Sequence, residues 1–298
     1  MSLTTTSYPP ATWEPYEQLA YRRISTPGGR MLVVALDHPM SWMVDEVITD
    51  QQWREMKYDI VRYLGNHSPS ILLDVGVALP GVVSEGVLSK DTALVIGMDD
   101  PVWVDDPDTG LRESRVIQGY SPETARRSGA TAVKMLVWYR PDREDEDGHA
   151  VTLMRRLVRE CQANGLPFIL ELMTYPLEGE SPEEFAALQP ELIVRAAETG
   201  RAVGAPILKL QYPGSETGCR AVTEAAGDVP WALLSAAVGH EEFLVQMANA
   251  LRGGARGAMV GRSLWKDCVS LDSEERARLL TERALPRLAE LAALLERE

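Results

Sequence analysis

The chain is poor in the residues that most often carry chemistry. Its 298 residues include only three cysteines, Cys161, Cys219 and Cys268. Their number is odd and no CxxC spacing occurs, so neither a disulfide framework nor a zinc knuckle is implied; they read as buried apolar fillers. The four histidines are scattered, with no HxH or HExxH spacing, so no metal is expected. The net charge of −14 argues against nucleic acid or an anionic membrane as partner. No apolar run approaches membrane-spanning length. The first residues lack a basic segment followed by an apolar run, so no signal peptide is expected and a cytoplasmic protein is the default.

Lysine is also scarce. Only Lys57, Lys90, Lys134, Lys209 and Lys266 occur among thirty basic residues; the rest are arginine. Two of the five lie inside apolar, strand-like runs: Lys134 in TAVKMLVW and Lys209 in PILKLQ. An ammonium there is costly unless it is paired or neutralised. Lysine can lose its proton and become a nucleophile, which arginine cannot. The bland alternative is a buried Lys–Glu ion pair.

Residues 1–30 read as an extended tail with a helical turn around Tyr16–Arg23, an N-terminal extension to a domain over 31–298. Eight short apolar runs follow: Met31–Leu36, Ser70–Val75, Ala93–Gly97, Thr131–Trp138, Pro167–Met173, Pro206–Gln211, Pro230–Ala236 and Gly257–Gly261. Most are separated by helix-period segments with serine or aspartate caps, at Asp50, Ser121 and Ser181, and glycine stops. A long amphipathic helix, from Ser273 to about Leu295, closes the chain. Buried parallel strands alternating with helices over about 250 residues predict a single-domain α/β fold, a (β/α)8 TIM barrel. A doubly wound sheet ranks lower, because no GxGxxG follows Leu36.

In such a barrel the active site lies at the C-terminal strand ends. Lys134, Glu171 and Lys209 fall on strands four, five and six. Strands four and six are roughly 10 Å apart at the backbone, a gap lysine side chains can close with the glutamate between them. A neutral lysine can attack a ketone to form a Schiff base, whose protonated imine is an electron sink for breaking the adjacent carbon–carbon bond. Glu171 is placed to move the protons. Strand one ends on Asp37-His38-Pro39, pointing a carboxylate and an imidazole out of its C-terminal end, and strand two ends on Asp74, either a substrate contact or a cap. Ser235 after strand seven and Gly261-Arg262 after strand eight fit a phosphate site of the kind that recurs there. A surface salt bridge is the alternative for Arg262. Trp138, Trp231 and Trp265 read as core, and His240 as solvated or structural.

Leu208–Gln211, Ala132–Val137, Leu170–Leu172, Val260–Lys266 and Trp231–Ala236 with Glu241-Glu242-Phe243 together resemble the class I tagatose-1,6-bisphosphate aldolase family, whose relatives include sulfofructose-phosphate aldolases. The likeness runs from about Met31 to Asp267. It implies Lys209 as Schiff-base lysine, Lys134 as a second active-site lysine and Glu171 as acid/base. It also implies Ser235, Gly261 and Arg262 at a phosphate, Asp37 at the end of strand one, no cofactor, and a homo-oligomer releasing dihydroxyacetone phosphate and an aldehyde from a phosphorylated sugar. Leu285, Leu288 and Leu291 could pack on the barrel or on a second subunit. Family members commonly read Asp-Gln-Arg where this chain has Asp37-His38-Pro39. The missing arginine could have met a second anionic group. Arg140 is either its replacement or a solvent-facing loop residue. Two further readings stay open: a lysine-dependent carbon–carbon transferase acting on a substrate with one anionic end, and a sugar-phosphate-binding barrel in which Lys134, Glu171 and Lys209 form a structural ion network.

Overall fold

Alternation within each strand builds the molecule. The computed structural model describes residues 9–10, 12–39 and 48–297; the tail read at residues 1–8 and 11 lies outside these. The barrel strands are β1 Met31–Leu36, β2 Ser70–Asp74, β3 Ala93–Gly97, β4 Ala132–Trp138, β5 Phe168–Met173, β6 Ile207–Leu210, β7 Trp231–Leu234 and β8 Gly257–Val260; Val104–Asp105 and Arg112–Glu113 form a separate antiparallel pair. The barrel strands all pair in parallel and β1 closes on β8, giving the (β/α)8 barrel expected from the pattern. Val33, Leu72, Val95, Ala132, Ile169, Ile207, Ala232 and Met259 form one apolar cluster inside the barrel. The alternate residues, among them Val34, Leu73, Val133, Leu170 and Leu208, join a second cluster with the surrounding helices. Side chains on a strand alternate faces, so a strand buried on both sides is apolar at nearly every position.

Helix α1, Pro15–Arg23, adds Tyr21 and, just beyond it, Ile24 to the inner cluster. The segment before β1 therefore supplies the barrel's floor. Helix α2, Asp50–Tyr63, starts on a capping box in which Thr49, not Asp50, is the N-cap: the Thr49 hydroxyl accepts from the Gln52 N–H. Ser121 and Ser181 cap their helices as read.

The long final helix carries an internal π-turn. Helical turns at Ser273–Leu279 and Leu285–Arg297 flank a π-helical turn, Leu280–Ala284. Pro286 has no N–H to donate and its ring crowds the carbonyl four residues back, so the helix widens just before it. Leu288 and Leu291 are buried within the chain and present no surface to a second copy. His240 is structural: its Nε2 lies 2.8 Å from the Glu290 carboxylate, tying the helix after β7 to the last one. The three cysteines are buried, and burial raises Cys161 and Cys219 to about 12 and Cys268 to about 11, which keeps them as thiols. No helix among the described residues is long and apolar enough to cross a membrane.

Candidate active site

The period-two rule that fills the barrel also builds its mouth. One step above the apolar layer, the inward positions become Asp74 on β2, Gly97 on β3, Lys134 on β4, Glu171 on β5 and Lys209 on β6. Asp37 and Asp99 follow β1 and β3 in the same alternation. All of these line one cavity of about 650 Å³ at the C-terminal end of the barrel, together with His38, Ser235, Gly261 and Arg262. Every site residue named from the sequence therefore borders the same space. In register, Glu171 pairs with Lys209, which places acid and amine side by side.

Lys134 is the electrostatic centre. Its Nζ lies 2.6 Å from Asp37, 2.9 Å from Asp99 and 2.8 Å from Glu171. The other oxygen of Glu171 is 2.8 Å from the Lys209 Nζ, so one carboxylate joins both amines. The cluster lies at the bottom of the cavity: Lys134, Lys209 and Glu171 are 1, 4 and 5% exposed. Burial disfavours the Lys134 ammonium, but Asp37, Asp99 and Glu171 together hold its pKa well above the ordinary value. Burial likewise opposes ionisation of Asp37 and Glu171, yet the two lysines outweigh it and keep both carboxyls below their usual range. Asp99 shifts the other way. Burial pushes it up, and its one close ammonium does not offset burial plus the neighbouring Asp37 and Glu171. The difference is physical: Asp37 feels both lysines.

Supporting contacts hold these groups in place. Gln211 accepts from the Thr174 N–H and hydroxyl, both at 2.8 Å, and so fastens the end of β6 to the end of β5. A side chain at Gly97 would begin 3.3 Å from the Asp37 Cβ, and one at Gly261 would stand 2.7 Å from both the Ala35 oxygen and the His38 ring. These glycines let the β3 and β8 ends approach β1. Ala236 and Ala237, just beyond Ser235, have φ of 45° and 63°, a left-handed backbone that costs roughly 1–3 kcal/mol at each such residue.

His38 packs edge-on to Trp265 with ring centroids 5.9 Å apart. Burial lowers its pKa to about 3; Arg262 and the two lysines reinforce this and Asp37 does not reverse it. The imidazole is neutral at pH 7. Because the folded value lies below the unfolded value of about 6.5, stability from this group is complete above pH 6.5 and is lost as pH falls toward 3. His38→Gln is therefore expected to flatten the fall in urea midpoint between pH 6.5 and 4 relative to wild type. Parallel curves for the two proteins would show that His38 does not drive that loss.

Four placements differ from the sequence reading. Arg140 is neither a replacement cation nor solvent-facing. It is fully buried, held by Asp142 and Glu180 at 2.7–2.9 Å and by the Tyr175 carbonyl at 3.0 Å, because three acceptors from its own loop and the next one surround it. Trp138 borders the cavity, whereas Trp231 and Trp265 are core. Asp99 was missed, although Val95, Gly97 and Asp99 continue the β3 alternation. Lys57, a third buried lysine, was missed as well. It lies on the apolar face of α2 with Trp53, Met56, Ile60 and Val61, a helical spacing that flags it once helices are searched as strands were. Lys57 pairs with Asp74, and burial lowers its pKa against that pull. The other Asp74 oxygen accepts from the Val77 N–H at 2.6 Å, so Asp74 caps the following turn while lining the cavity. Among the described residues no group of three His, Cys, Asp or Glu side chains is arranged to hold a metal ion.

Residues 31–267 match the family model described as DeoC/LacD family aldolase. Tagatose 1,6-diphosphate aldolase 2 of Streptococcus mutans is 27% identical over 252 residues, covering 76% of this chain and 75% of its own length. Among solved structures, an archaeal fructose 1,6-bisphosphate aldolase superposes with a TM-score of 0.65 at 21% identity, covering 94% of this chain and 99% of that one. Another archaeal fructose-1,6-bisphosphate aldolase, with its catalytic lysine covalently bound to the carbinolamine intermediate of the substrate, superposes with a TM-score of 0.65 at 19% identity over 93% and 98% of the two chains.

Proposed function

The chain belongs to the DeoC/LacD family of aldolases and is a carbon–carbon lyase; from that premise we propose that it is a class I enzyme cleaving or forming a phosphorylated ketose through a Schiff base on Lys209. The observation that carries this reading is the asymmetry between the two central lysines. Among the described residues, Lys134 pairs with three carboxylates and stays an ammonium, whereas the close ion pair of Lys209 is with Glu171. An amine must be unprotonated to attack a carbonyl.

In the cleavage direction, Lys209 passes a proton to Glu171 and the freed amine adds to the ketose carbonyl. Glu171 delivers a proton to the carbinolamine hydroxyl, which leaves as water and yields the iminium. Glu171, now a carboxylate, takes the proton from the substrate hydroxyl two carbons beyond the iminium carbon. The intervening carbon–carbon bond breaks, the aldehyde departs and its bonding pair forms the enamine. Protonation of the enamine and addition of water release dihydroxyacetone phosphate and restore the amine. Lys134, fixed by Asp37 and Asp99, supplies a permanent positive charge beside the developing alkoxide. His38 borders the same end as a neutral group, and Asp74 acts by holding Lys57 and the turn at Val77.

Ser235, Gly261 and Arg262 receive the phosphate in this reading. Burial lowers the Arg262 pKa from its ordinary 12.5 against the opposing pull of Asp37 and Glu171. Arg262→Ala is expected to raise KM for dihydroxyacetone phosphate in the condensation direction by roughly 10- to 100-fold, a loss of about 1.5–3 kcal/mol for a charged hydrogen bond. Unphosphorylated dihydroxyacetone should be affected far less; equal loss with both donors would count against a phosphate role. The direct test of the whole reading is sodium borohydride reduction with dihydroxyacetone phosphate, followed by peptide mass mapping. A stable adduct on Lys209 supports it, and an unmodified wild-type protein removes it.

A further inference from the structure

The cavity has one cationic end, and its opposite wall is apolar. Eight strands in the closed order place β4 directly across the barrel from β8. Arg262 follows β8, so the facing wall is built from β4, from β5 and from the loop after β3. There the lining is Leu136, Trp138, Met173, Ile117 and Pro101.

Among the described residues, the one lysine on that wall, Lys134, is already matched by three carboxylates. Residues 1–8, 11, 40–47 and 298 contain no lysine, arginine or histidine, so every such side chain in the chain belongs to the described residues. Those bordering the cavity are Lys57, Lys134, Lys209, Arg262 and His38. Lys57 is matched by Asp74, Lys134 by three carboxylates, and Lys209 by Glu171. Arg140 is enclosed by Asp142 and Glu180. Arg112 does not line the cavity; its guanidinium stacks 4.4–4.6 Å from the ring centroids of Trp103, Trp138 and Tyr175. Two acids, Asp99 and Asp100, border the cavity beside this wall, and Asp99 pairs with Lys134.

Resting on the Schiff-base reading above, we infer that the aldehyde half of the substrate carries no phosphate, sulfonate or carboxylate, and that its carbon chain lies against Ile117, Leu136, Trp138 and Met173. An anionic group there would meet carboxylates and lose its hydration without a partner. An uncharged chain or ring would replace water on apolar surface. In the condensation direction, the enamine carbon bonds to the aldehyde carbon and the new alkoxide takes a proton from Glu171. Water then hydrolyses the iminium and frees the ketose, so this half of the substrate needs no charge for the chemistry.

The experiment compares acceptors at fixed dihydroxyacetone phosphate: butanal and glyceraldehyde against glyceraldehyde 3-phosphate, by steady-state kcat/KM. At least one uncharged aldehyde is expected to exceed the phosphorylated one by tenfold or more. Leu136→Arg, which places a cation on the wall, is expected to move the ratio toward glyceraldehyde 3-phosphate by at least tenfold. A wild-type protein that uses glyceraldehyde 3-phosphate at more than a tenth of the rate constant of the best uncharged aldehyde overturns the inference, whether the cation comes from a second copy or elsewhere. Borohydride trapping keeps the two failures apart. A Lys209 adduct together with use of the phosphorylated acceptor sinks only this inference. No adduct sinks the Schiff-base reading, and this one with it.

Discussion

Lys209→Arg is expected to lose the borohydride-trapped adduct and to lower kcat/KM by roughly 10⁴-fold or more, the scale seen when a covalent nucleophile is removed. Fold and stability should change little. Arginine keeps a positive charge beside Glu171, which also pairs with Lys134, so no buried carboxylate is orphaned, and it cannot deprotonate to attack a carbonyl. Far-ultraviolet circular dichroism and a urea midpoint close to wild type would separate this outcome from unfolding. An adduct that persists and maps to Lys134 would move the nucleophile to the neighbouring strand. A folded variant with near wild-type turnover would favour the structural ion network over catalysis.

Lys134→Met is expected to behave in the opposite way, with a stability cost at least as visible as the catalytic one. Its ammonium is the shared contact of Asp37, Asp99 and Glu171. Removing it leaves three buried carboxylates facing one another, with Lys209 and the more distant Arg262 and Lys57 to offset them. Breaking a buried ion pair from one side costs roughly 3–5 kcal/mol, and this group serves three partners. The pH dependence identifies the cause. In wild type, Asp37 and Glu171 titrate below their unfolded values, so their contribution is present above about pH 4 and is lost as pH falls through the lower folded values. Without Lys134, burial dominates and their folded values rise above the unfolded ones. The variant is then penalised at neutral pH and relieved on acidification. The gap in urea midpoint between wild type and Lys134→Met should therefore narrow from pH 8 to pH 5. A gap that stays constant would attribute the loss to packing of the side chain.

The barrel was readable because each strand is a short apolar run between turn signals, and a strand buried on both faces needs nothing more. Lys134, Glu171 and Lys209 stood out for the same reason. A charge inside such a run conflicts with its surroundings, and two of the chain's few lysines create that conflict. Asp37, Asp74, Ser235 and Arg262 were found by position alone, since they end strands whose C-terminal ends share one face.

Other features depended on closure. Nothing local in residues 12–30 says that Tyr21 and Ile24 will plug the barrel floor; that follows from the end of the cylinder lying open below Val33 and Ile207. Lys57 and Asp74 meet because α2 packs beside β2, although Lys57 sits on a face that helical periodicity marks as buried. Arg140 looked like a loop cation until Glu180, forty residues later, folded over it. Sequence by itself determined the eight-stranded pattern and the identity of the central lysines and glutamate, because burial is written in local alternation. Only the tertiary structure decided that, among the described residues, three carboxylates pair with Lys134 and one with Lys209, and that the wall opposite Arg262 is largely apolar. Electrostatic energy depends on distances across the barrel, and those are set by which strands close on one another.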